Sequence, residues 1–382
     1  MINRERLTEM FMWLVRIDSI SKEEGTIAAA LRGRLESMGA EILMDAAGEA
    51  IGGDSGNLIA KFKGNTVAPP LMLNAHMDTV EPGRGVKPRF AEGRFTSDGT
   101  TILGADDKSA IAILLEVLMT LQEKNLTHGP IELVLTVCEE IGLLGAKHLD
   151  LNLISAKFGY ALDSSDPQGI VTRAPAANRL ELKVIGKDAH AGAAPEQGIN
   201  AIWLAGKALA DLTIGRIDEE TTCNIGVIKG GKATNIVPDA VTLLGEVRSH
   251  DEGKLNAVTN QILQQFQRVV DGYPSHSREQ GLPGFEAIVE SDFPLTNIPE
   301  DHPVVGLAKK AAANLGRKLV SRRTGGGADA NIFFNKGIVT GVIGTGMKEM
   351  HTVRESVGLA DMIDTAELMI EIIRLHAQGE SR

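Results

Sequence analysis

The sequence predicts an α/β fold in which a mostly parallel sheet, flanked by helices, is interrupted by an inserted α+β domain. Three observations support this prediction. Short β-rich apolar runs alternate with helical patterns at the start of the chain, a β-α-β-β-α-β order follows residue 173, and helix and strand alternate again from residue 304. With 382 residues, 43% of them hydrophobic, the chain can build one large core or two.

The opening segment has two helical patterns followed by short apolar runs. Apolar residues recur at helical spacing over residues 7–17 and 27–38, and Gly39 is a typical end for the second helix. The predicted strands are residues 58–62, 71–73, 131–138 and 158–162, with a long helix over 108–121. Buried strands that alternate with helices are typical of a largely parallel sheet.

A second set of elements begins after residue 173. The predicted strands are residues 180–185, 222–228, 241–247 and 285–290, and the predicted helices are 200–212 and 254–270. This order is the split βαβ pattern, which can fold independently. Five prolines between Pro274 and Pro303 mark its exit, and a final helix is predicted over 359–376. The predicted domains are residues 1–173 with 292–382, and residues 174–291.

Charge and cysteine content exclude several classes of protein. The formal net charge of −11, without a basic run, argues against nucleic acid and membrane surfaces as partners. The first residues are typical of an amphipathic helix, and the longest apolar stretches, about eight residues, are too short to cross a bilayer. Cys138 and Cys223 form no C-x-x-C motif, which argues against a thiolate zinc site. We therefore expect a soluble, cytoplasmic protein.

A His-x-Asp motif follows a buried apolar run at residues 76–78. At the carboxyl end of a strand, the imidazole of His76 can reach a metal, and the carboxylate two residues later faces the same side. Asp78 is therefore a candidate for orienting the ring of His76. Taken alone, the motif fits a capped strand end with a surface histidine better.

Two acidic pairs lie at comparable positions. Asp106 and Asp107 come directly before the long apolar helix, where an acid is often only a cap. Glu139 and Glu140 follow a continuous apolar strand, and burying both carboxylates is costly without a metal or another partner. The residues alone do not show which member of either pair faces a metal.

Two further residues complete a set of oxygen and nitrogen donors. Asp163 follows the apolar run at 158–162, and His351 lies in the C-terminal segment G-M-K-E-M-H-T. Donors without sulfur suit zinc, manganese or cobalt. One carboxylate shared between two ions gives a two-metal site with a separation of roughly 3.5 to 4 Å.

These motifs resemble those of the M20 metallopeptidases, and most closely the peptidase T-like, aminotripeptidase-like branch. H-x-D, G-A-D-D-K, the E-E pair, the later aspartate and the late histidine occur in the family order around an inserted lid, over essentially the whole chain. The resemblance implies a zinc-exopeptidase-like catalytic domain in two segments. It also implies that residues 174–291 form a ferredoxin-like lid and dimerisation domain.

The resemblance also implies roles for individual residues. The implied ligands are His76, Asp106 and Asp163 for one ion, and Asp106, Glu140 and His351 for the other. The implied cofactors are two divalent ions, with zinc expected and cobalt or manganese as alternatives. Glu139 is the implied general acid/base, which takes a proton from a metal-activated water and returns it to the leaving amine. Asp78 is the implied orienter of His76.

Substrate-binding residues are implied in the lid and in a glycine-rich loop. His190, in K-D-A-H-A-G, resembles a lid histidine that reaches the substrate carbonyl. Asn235 and Arg248 resemble lid residues that hold a substrate carboxylate, although a surface ion pair is an alternative for Arg248. Gly326 and Gly327 resemble loop residues whose backbone amides lie beside the substrate, with a merely structural turn as the alternative.

The implied activity is exopeptidase cleavage of small peptides from the free amino end, as in tripeptidases. Thr352 and Val353 depart from the tripeptidase pattern, so tripeptide preference stays open. An N-acyl amino-acid amidohydrolase or a dipeptidase could use the same metal site, since the lid and pocket walls decide the substrate. An inactive peptide-binding protein is a further alternative, against which Glu139 argues. The sheet edges of the lid favour a homodimer.

Overall fold

The computed structural model describes residues 1–274 and 281–379. The chain divides into two units, Met1–Arg173 with Thr296–Arg382 and Ala174–Leu295, which we call the first and second unit. Each unit has its own cluster of buried apolar side chains. The catalytic and lid roles of the predicted domains stay predictions.

The elements follow in chain order. Up to the insertion they are α1 (Arg4–Leu14), α2 (Gly25–Ser37), β1 (Glu41–Met44), α3 (Ala47–Ile51), β2 (Leu58–Phe62), β3 (Leu71–His76), β4 (Arg89–Ala91), β5 (Arg94–Thr96), α4 (Ala105–Glu123), β6 (Ile131–Thr136), α5 (Leu144–His148), β7 (Phe158–Ala161) and β8 (Gly169–Ala174). The second unit contains β9 (Ala176–Ile185), α6 (Ala201–Ala210), β10 (Gly215–Arg216), β11 (Thr221–Gly230), β12 (Ala240–Ser249), α7 (Glu252–Asp271) and β13 (Gly284–Phe293). The returning chain forms β14 (Thr296–Asn297), α8 (Pro303–Asn314), β15 (Val320–Arg323), α9 (Asp329–Asn335), β16 (Val339–Ile343), β17 (Ser356–Gly358) and α10 (Leu359–Ala377).

The large sheet of the first unit is mostly parallel at its centre. Its strand order is β1-β2-β6-β3-β7-β16-β8-β14, and β15 pairs with β8. The four neighbours β6, β3, β7 and β16 are parallel, whereas β1, β2 and β8 add antiparallel pairs. The predicted sheet flanked by helices is confirmed. Because the central strands are parallel, their carboxyl ends share one edge, where ligands collect in such folds.

Helix α4 packs against this sheet. It contacts β3, α1 and α10, and its side chains are buried along most of its length because the sequence is apolar on every face. Lys108 and Glu116 are two of the charged residues that this helix buries, and both have partners. Lys108 donates a hydrogen bond from Nζ to the Ile17 carbonyl oxygen at 2.6 Å, and Glu116 accepts one from Arg6 at 2.6 Å. The partners offset the cost of burying these charges.

The second unit is an antiparallel sheet covered by two helices. Its strand order is β10-β11-β12-β9-β13. Helices α6 and α7 contact each other and both pack against β9 and β12. The buried apolar cluster of this unit includes Leu180 and Leu182 of β9 and Phe266 of α7. The predicted α+β, ferredoxin-like architecture is confirmed.

The structure adds short elements that the sequence analysis missed. Strands β4, β5 and β17 form a small sheet, and α3 and α5 are five-residue helices. Elements of three to five residues are too short to carry a periodic apolar pattern. Within residues 1–274 and 281–379, no helix combines the length and the apolarity that a bilayer span requires.

Candidate metal centre

Strand ends of the large sheet carry most of the residues predicted for the metal centre. His76 is the last residue of β3, Glu139 and Glu140 follow β6, and Asp163 follows β7. Asp106 lies in the first turn of α4, after the left-handed residue Gly104. The parallel arrangement of β3, β6 and β7 therefore gathers these polar side chains at one edge.

The carboxylate of Asp106 lies between two imidazoles. Its Oδ1 atom is 3.1 Å from Nε2 of His76, and its Oδ2 atom is 3.2 Å from Nε2 of His351. The same His351 nitrogen lies 3.0 Å from Oε1 of Glu140. The structure thus brings together residues that are distant in sequence, including the late histidine.

Two overlapping groups of side chains have ligand atoms within 4.8 Å of one another. One is His76, Asp106 and Glu140, and the other is Asp106, Asp107 and Asp163. Asp106 belongs to both groups. Asp107 was not among the predicted ligands: its Oδ2 accepts the His76 N–H at 3.2 Å, and its Oδ1 is buried without a hydrogen bond among the described residues.

The buried acids carry shifted pKa values. Burial raises the pKa of Asp163 to about 8, and the negative charge of Asp106 adds to this shift. Burial also raises the pKa of Glu139 well above its usual range, and raises that of Glu140. Contacts with the carboxylates of Asp106 and Glu140 raise the pKa of His351 to about 10. Ionising these buried acids is therefore costly unless a cation lies beside them.

The carboxylate of Asp78 contacts both the His76 ring and the backbone of the Glu139–Glu140 turn. Nδ1 of His76 lies 3.3 Å from Oδ1 of Asp78 and 3.0 Å from its backbone oxygen. The Asp78 carboxylate accepts the N–H groups of Glu139 at 2.9 Å and Glu140 at 3.2 Å, and the hydroxyl of Ser21 at 2.6 Å. Although burial opposes it, the interactions with His76 and Ser21 lower the pKa of Asp78. An ionised acceptor can therefore fix both segments.

Two supporting carboxylates were missed by the sequence analysis. Glu24 accepts hydrogen bonds from the backbone N–H of Cys138 at 2.9 Å and from the Cys138 thiol at 3.3 Å. Cys138 is the residue directly before Glu139. Glu355 accepts the backbone N–H of Asp106, which lies 249 positions earlier. No local spacing rule connects residues so far apart in sequence. Glu24 and Glu355 are recognised only in the structure, where both side chains are buried.

Two predicted substrate residues of the second unit lie on adjoining loops. The exposed His190 accepts the N–H groups of Gly192 at 3.2 Å and Ala193 at 3.1 Å through its Nδ1 atom. Ala191 donates its N–H to the carbonyl oxygen of Asn235 at 2.9 Å. The backbone therefore holds the His190 and Asn235 segments side by side.

The other predicted substrate residues lie apart from this pair in the sequence. Arg248, on β12, donates a hydrogen bond to Glu246 at 2.9 Å, and its guanidinium lies 5.5 Å from the centre of the Phe293 ring. The ion pair expected as an alternative for Arg248 is thus present. Gly326 and Gly327 lie in the loop between β15 and α9 of the first unit.

Comparison with known proteins adds an independent result. The family model described as peptidase family M20/M25/M40 matches residues 72–375. The chain is 41% identical over 374 residues to the uncharacterized protein YqjE of Bacillus subtilis, covering 98% of this chain and 99% of that protein.

Two solved structures are also similar. A tripeptidase from Staphylococcus aureus has a TM-score of 0.92 and 38% identity, covering 99% of this chain and 100% of that one. The aminopeptidase PepT from Bacillus cereus has a TM-score of 0.88 and 40% identity, covering 98% of this chain and 99% of that one.

Proposed function

The chain belongs to peptidase family M20/M25/M40 and is a metallopeptidase hydrolase, and on this premise we propose that it cleaves small peptides, tripeptides above all, from their free amino end. The predicted M20 and peptidase T-like resemblance is confirmed. The observation that carries the proposal is the Asp106 carboxylate held between His76 and His351 among buried acids. The similar tripeptidase and aminopeptidase support the substrate class.

The side chains at this centre fit divalent ions. Their donor atoms are imidazole nitrogens and carboxylate oxygens, the set that zinc, cobalt and manganese accept. The buried Oδ1 atom of Asp107 lacks a hydrogen bond among the described residues, and the buried Oε1 atom of Glu140 is paired with His351. A buried carboxylate oxygen without a donor is costly, and a cation would satisfy it.

We assign the ligands of two ions as the family resemblance implies. They are His76, Asp106 and Asp163 for one ion, and Asp106, Glu140 and His351 for the other. Zinc is the expected metal, with cobalt or manganese as alternatives. When bound, the two ions would polarise the scissile carbonyl and lower the pKa of a water molecule.

We assign proton transfer to Glu139. Its side chain is buried next to the ligand Glu140, and its backbone N–H is fixed by Asp78. Burial raises the pKa of Glu139, which makes its carboxylate a stronger base toward the attacking water than an exposed glutamate. Glu139 takes a proton from the attacking water and returns it to the leaving amine nitrogen. Asp78 keeps the His76 ring in place during this exchange.

Substrate contacts are assigned to both units. Nδ1 of His190 accepts two backbone N–H groups, so a neutral His190 carries its proton on Nε2 and can donate it to the substrate carbonyl oxygen. Asn235, beside it, and Arg248 bind the substrate carboxylate. The backbone amides of Gly326 and Gly327 lie along the substrate. The substrate is a small peptide, with no nucleic acid or membrane partner.

A homodimer formed through the second unit is part of the proposal. Strand β13 lies at the edge of its sheet and leaves Ile288 55% and Val289 41% exposed. Long edge strands with apolar side chains tend to pair with another chain. Sedimentation velocity should give the mass of two chains, and a monomer at high protein concentration would contradict this part.

We also propose a cytoplasmic location. Cys138 and Cys223 are both free and buried, so neither forms a disulfide in the structure. Proteins of the reducing cytosol commonly keep their thiols in this state. Fractionation of cells that express the untagged chain tests this location directly.

A substrate panel separates the proposed activity from its alternatives. Purified protein, stripped of metal and reloaded with zinc, cobalt or manganese, would be assayed on dipeptides, tripeptides, N-blocked peptides and N-acetyl amino acids. We expect cleavage of tripeptides with a free amino group. Cleavage of acylated substrates alone would identify an N-acyl amino-acid hydrolase, and exclusive cleavage of dipeptides would identify a dipeptidase.

A further inference from the structure

We infer that Glu355 is a positioning residue that sets the placement of Asp106 relative to His351. The inference rests on the proposed function, which assigns both of these residues to one ion. Glu355 lies four positions after His351 and is 1% exposed. Neither the M20 motifs in the sequence nor the candidate ligand groups include it.

The Glu355 carboxylate holds the turn that leads to Asp106. Its Oε2 atom accepts the N–H groups of Leu103 at 2.8 Å and Gly104 at 2.7 Å. Its Oε1 atom accepts the N–H of Asp106 at 2.9 Å. Three backbone N–H groups thus converge on the two oxygens of one buried side chain. These three hydrogen bonds hold the backbone of residues 103–106.

The backbone of the turn at Gly104 has few alternative conformations. Gly104 has φ +75°, a left-handed value that favours glycine. A Cβ atom at Gly104 would lie 3.3 Å from Cγ2 of Thr79, a tight contact. Glu355 binds the N–H groups on both sides of Ala105, so it holds the backbone segment from which the Asp106 side chain extends.

The same residue belongs to the loop that carries His351. This loop is closed by two backbone hydrogen bonds between Lys348 and Ser356, at 2.8 and 3.0 Å. The N–H of Glu355 donates to the carbonyl oxygen of Thr352 at 3.1 Å. Glu355 therefore connects the base of the His351 loop to the start of α4. It supports both partners of the 3.2 Å contact between His351 and Asp106.

A simple helix cap is the competing explanation. The first N–H groups of any helix need acceptors, and Glu355 supplies one for Asp106 in the first turn of α4. A cap alone predicts a loss of stability when Glu355 is changed, with metal binding unaltered in the folded protein. A positioning role predicts that one metal site weakens in a protein that is still folded, as changes behind metal ligands commonly do.

The test compares E355Q and E355A with the wild type and with E349Q. E355Q keeps the side-chain shape and one acceptor oxygen. Glu349 lies on the same loop, exposed and 3.3 Å from Arg354, so E349Q is a matched control. Stepwise zinc affinities of metal-free protein would be measured by calorimetry, and the visible spectrum of the cobalt form would report ligand geometry. Circular dichroism would establish folding.

We expect the wild type and E349Q each to bind two ions, and both affinities of E349Q to equal those of the wild type. In E355A one of the two affinities should fall by about 10- to 100-fold with an altered cobalt spectrum, and E355Q should recover part of the loss. Wild-type affinities in both Glu355 variants would overturn this inference alone. Unfolding of both variants would also overturn it, because Glu355 would then serve general stability. A wild type that binds fewer than two ions would contradict the proposed function and this inference together.

Discussion

The Oδ2 atom of Asp106 lies 3.2 Å from Nε2 of His351, which joins the start of α4 to the loop before β17. The other oxygen of the same carboxylate faces His76 at 3.1 Å. One side chain thus lies between two imidazoles that come from the two sequence segments of the first unit. Asp106 is therefore the residue on which the proposed site for two ions depends most.

Replacing Asp106 should remove metal from both positions. In D106N the amide offers one weak neutral oxygen in place of a carboxylate shared by two ions, so zinc bound after dialysis should fall by more than about tenfold. Elemental analysis of reloaded protein measures this. D301N, at an exposed position, is the control and should keep its zinc. D106N protein with a full complement of zinc would show that Asp106 is not a shared ligand.

Replacing Glu139 should separate catalysis from metal binding. E139Q keeps the shape of the side chain but cannot accept a proton, so kcat should fall by about 10²- to 10⁴-fold with metal content intact. E140Q is the matched comparison, because Glu140 is an assigned ligand and its change should lower metal content. An active E139Q enzyme would refute the role given to Glu139.

Metal affinity should increase with pH. In the metal-free protein the pKa of Asp163 is raised to about 8 and that of His351 to about 10, so both hold a proton at neutral pH. Both must lose it to bind an ion, and protons should be released on binding. Calorimetry in buffers of different ionisation enthalpy should show tighter zinc binding at about pH 8 than at about pH 6. Equal affinity and no proton release would be the contrary result.

Replacing His190 should affect turnover and leave the metal centre intact. H190A removes a donor to the substrate carbonyl oxygen, so kcat should fall by about 10²- to 10³-fold while zinc content and thermal unfolding stay unchanged. The exposed His148 of the first unit provides the control variant H148A, which should retain wild-type kcat. Full activity in H190A would remove His190 from the proposed mechanism.

The fold was predictable wherever an apolar pattern was long. The helix predicted over 108–121 is α4, Ala105–Glu123, and the strand predicted over 131–138 is β6, Ile131–Thr136. Short elements such as β4 and α3 were not, because three to five residues hold no full period of either pattern. Apolar periodicity therefore located the core elements and left the connecting ones unassigned.

The site was predictable only in part. The motifs that follow β3, β6 and β7 marked His76, Glu139 and Asp163 as neighbours, since parallel strands end at one edge. The role of Glu355 was invisible, because hydrogen bonds between its carboxylate and the backbone of residues 103–106 depend on packing and not on local spacing. Buried carboxylates that bind backbone groups need a structure to be recognised.

Hydrolysis of trialanine by metal-free and zinc-reloaded enzyme tests the central claim most directly, with N-acetyl-trialanine as the blocked comparison. We expect the metal-free protein to be inactive and the reloaded protein to release free alanine and dialanine from trialanine, while the blocked peptide stays intact. Cleavage by metal-free protein, or cleavage of the blocked peptide alone after reloading, would contradict a metal-dependent peptidase that acts at the free amino end.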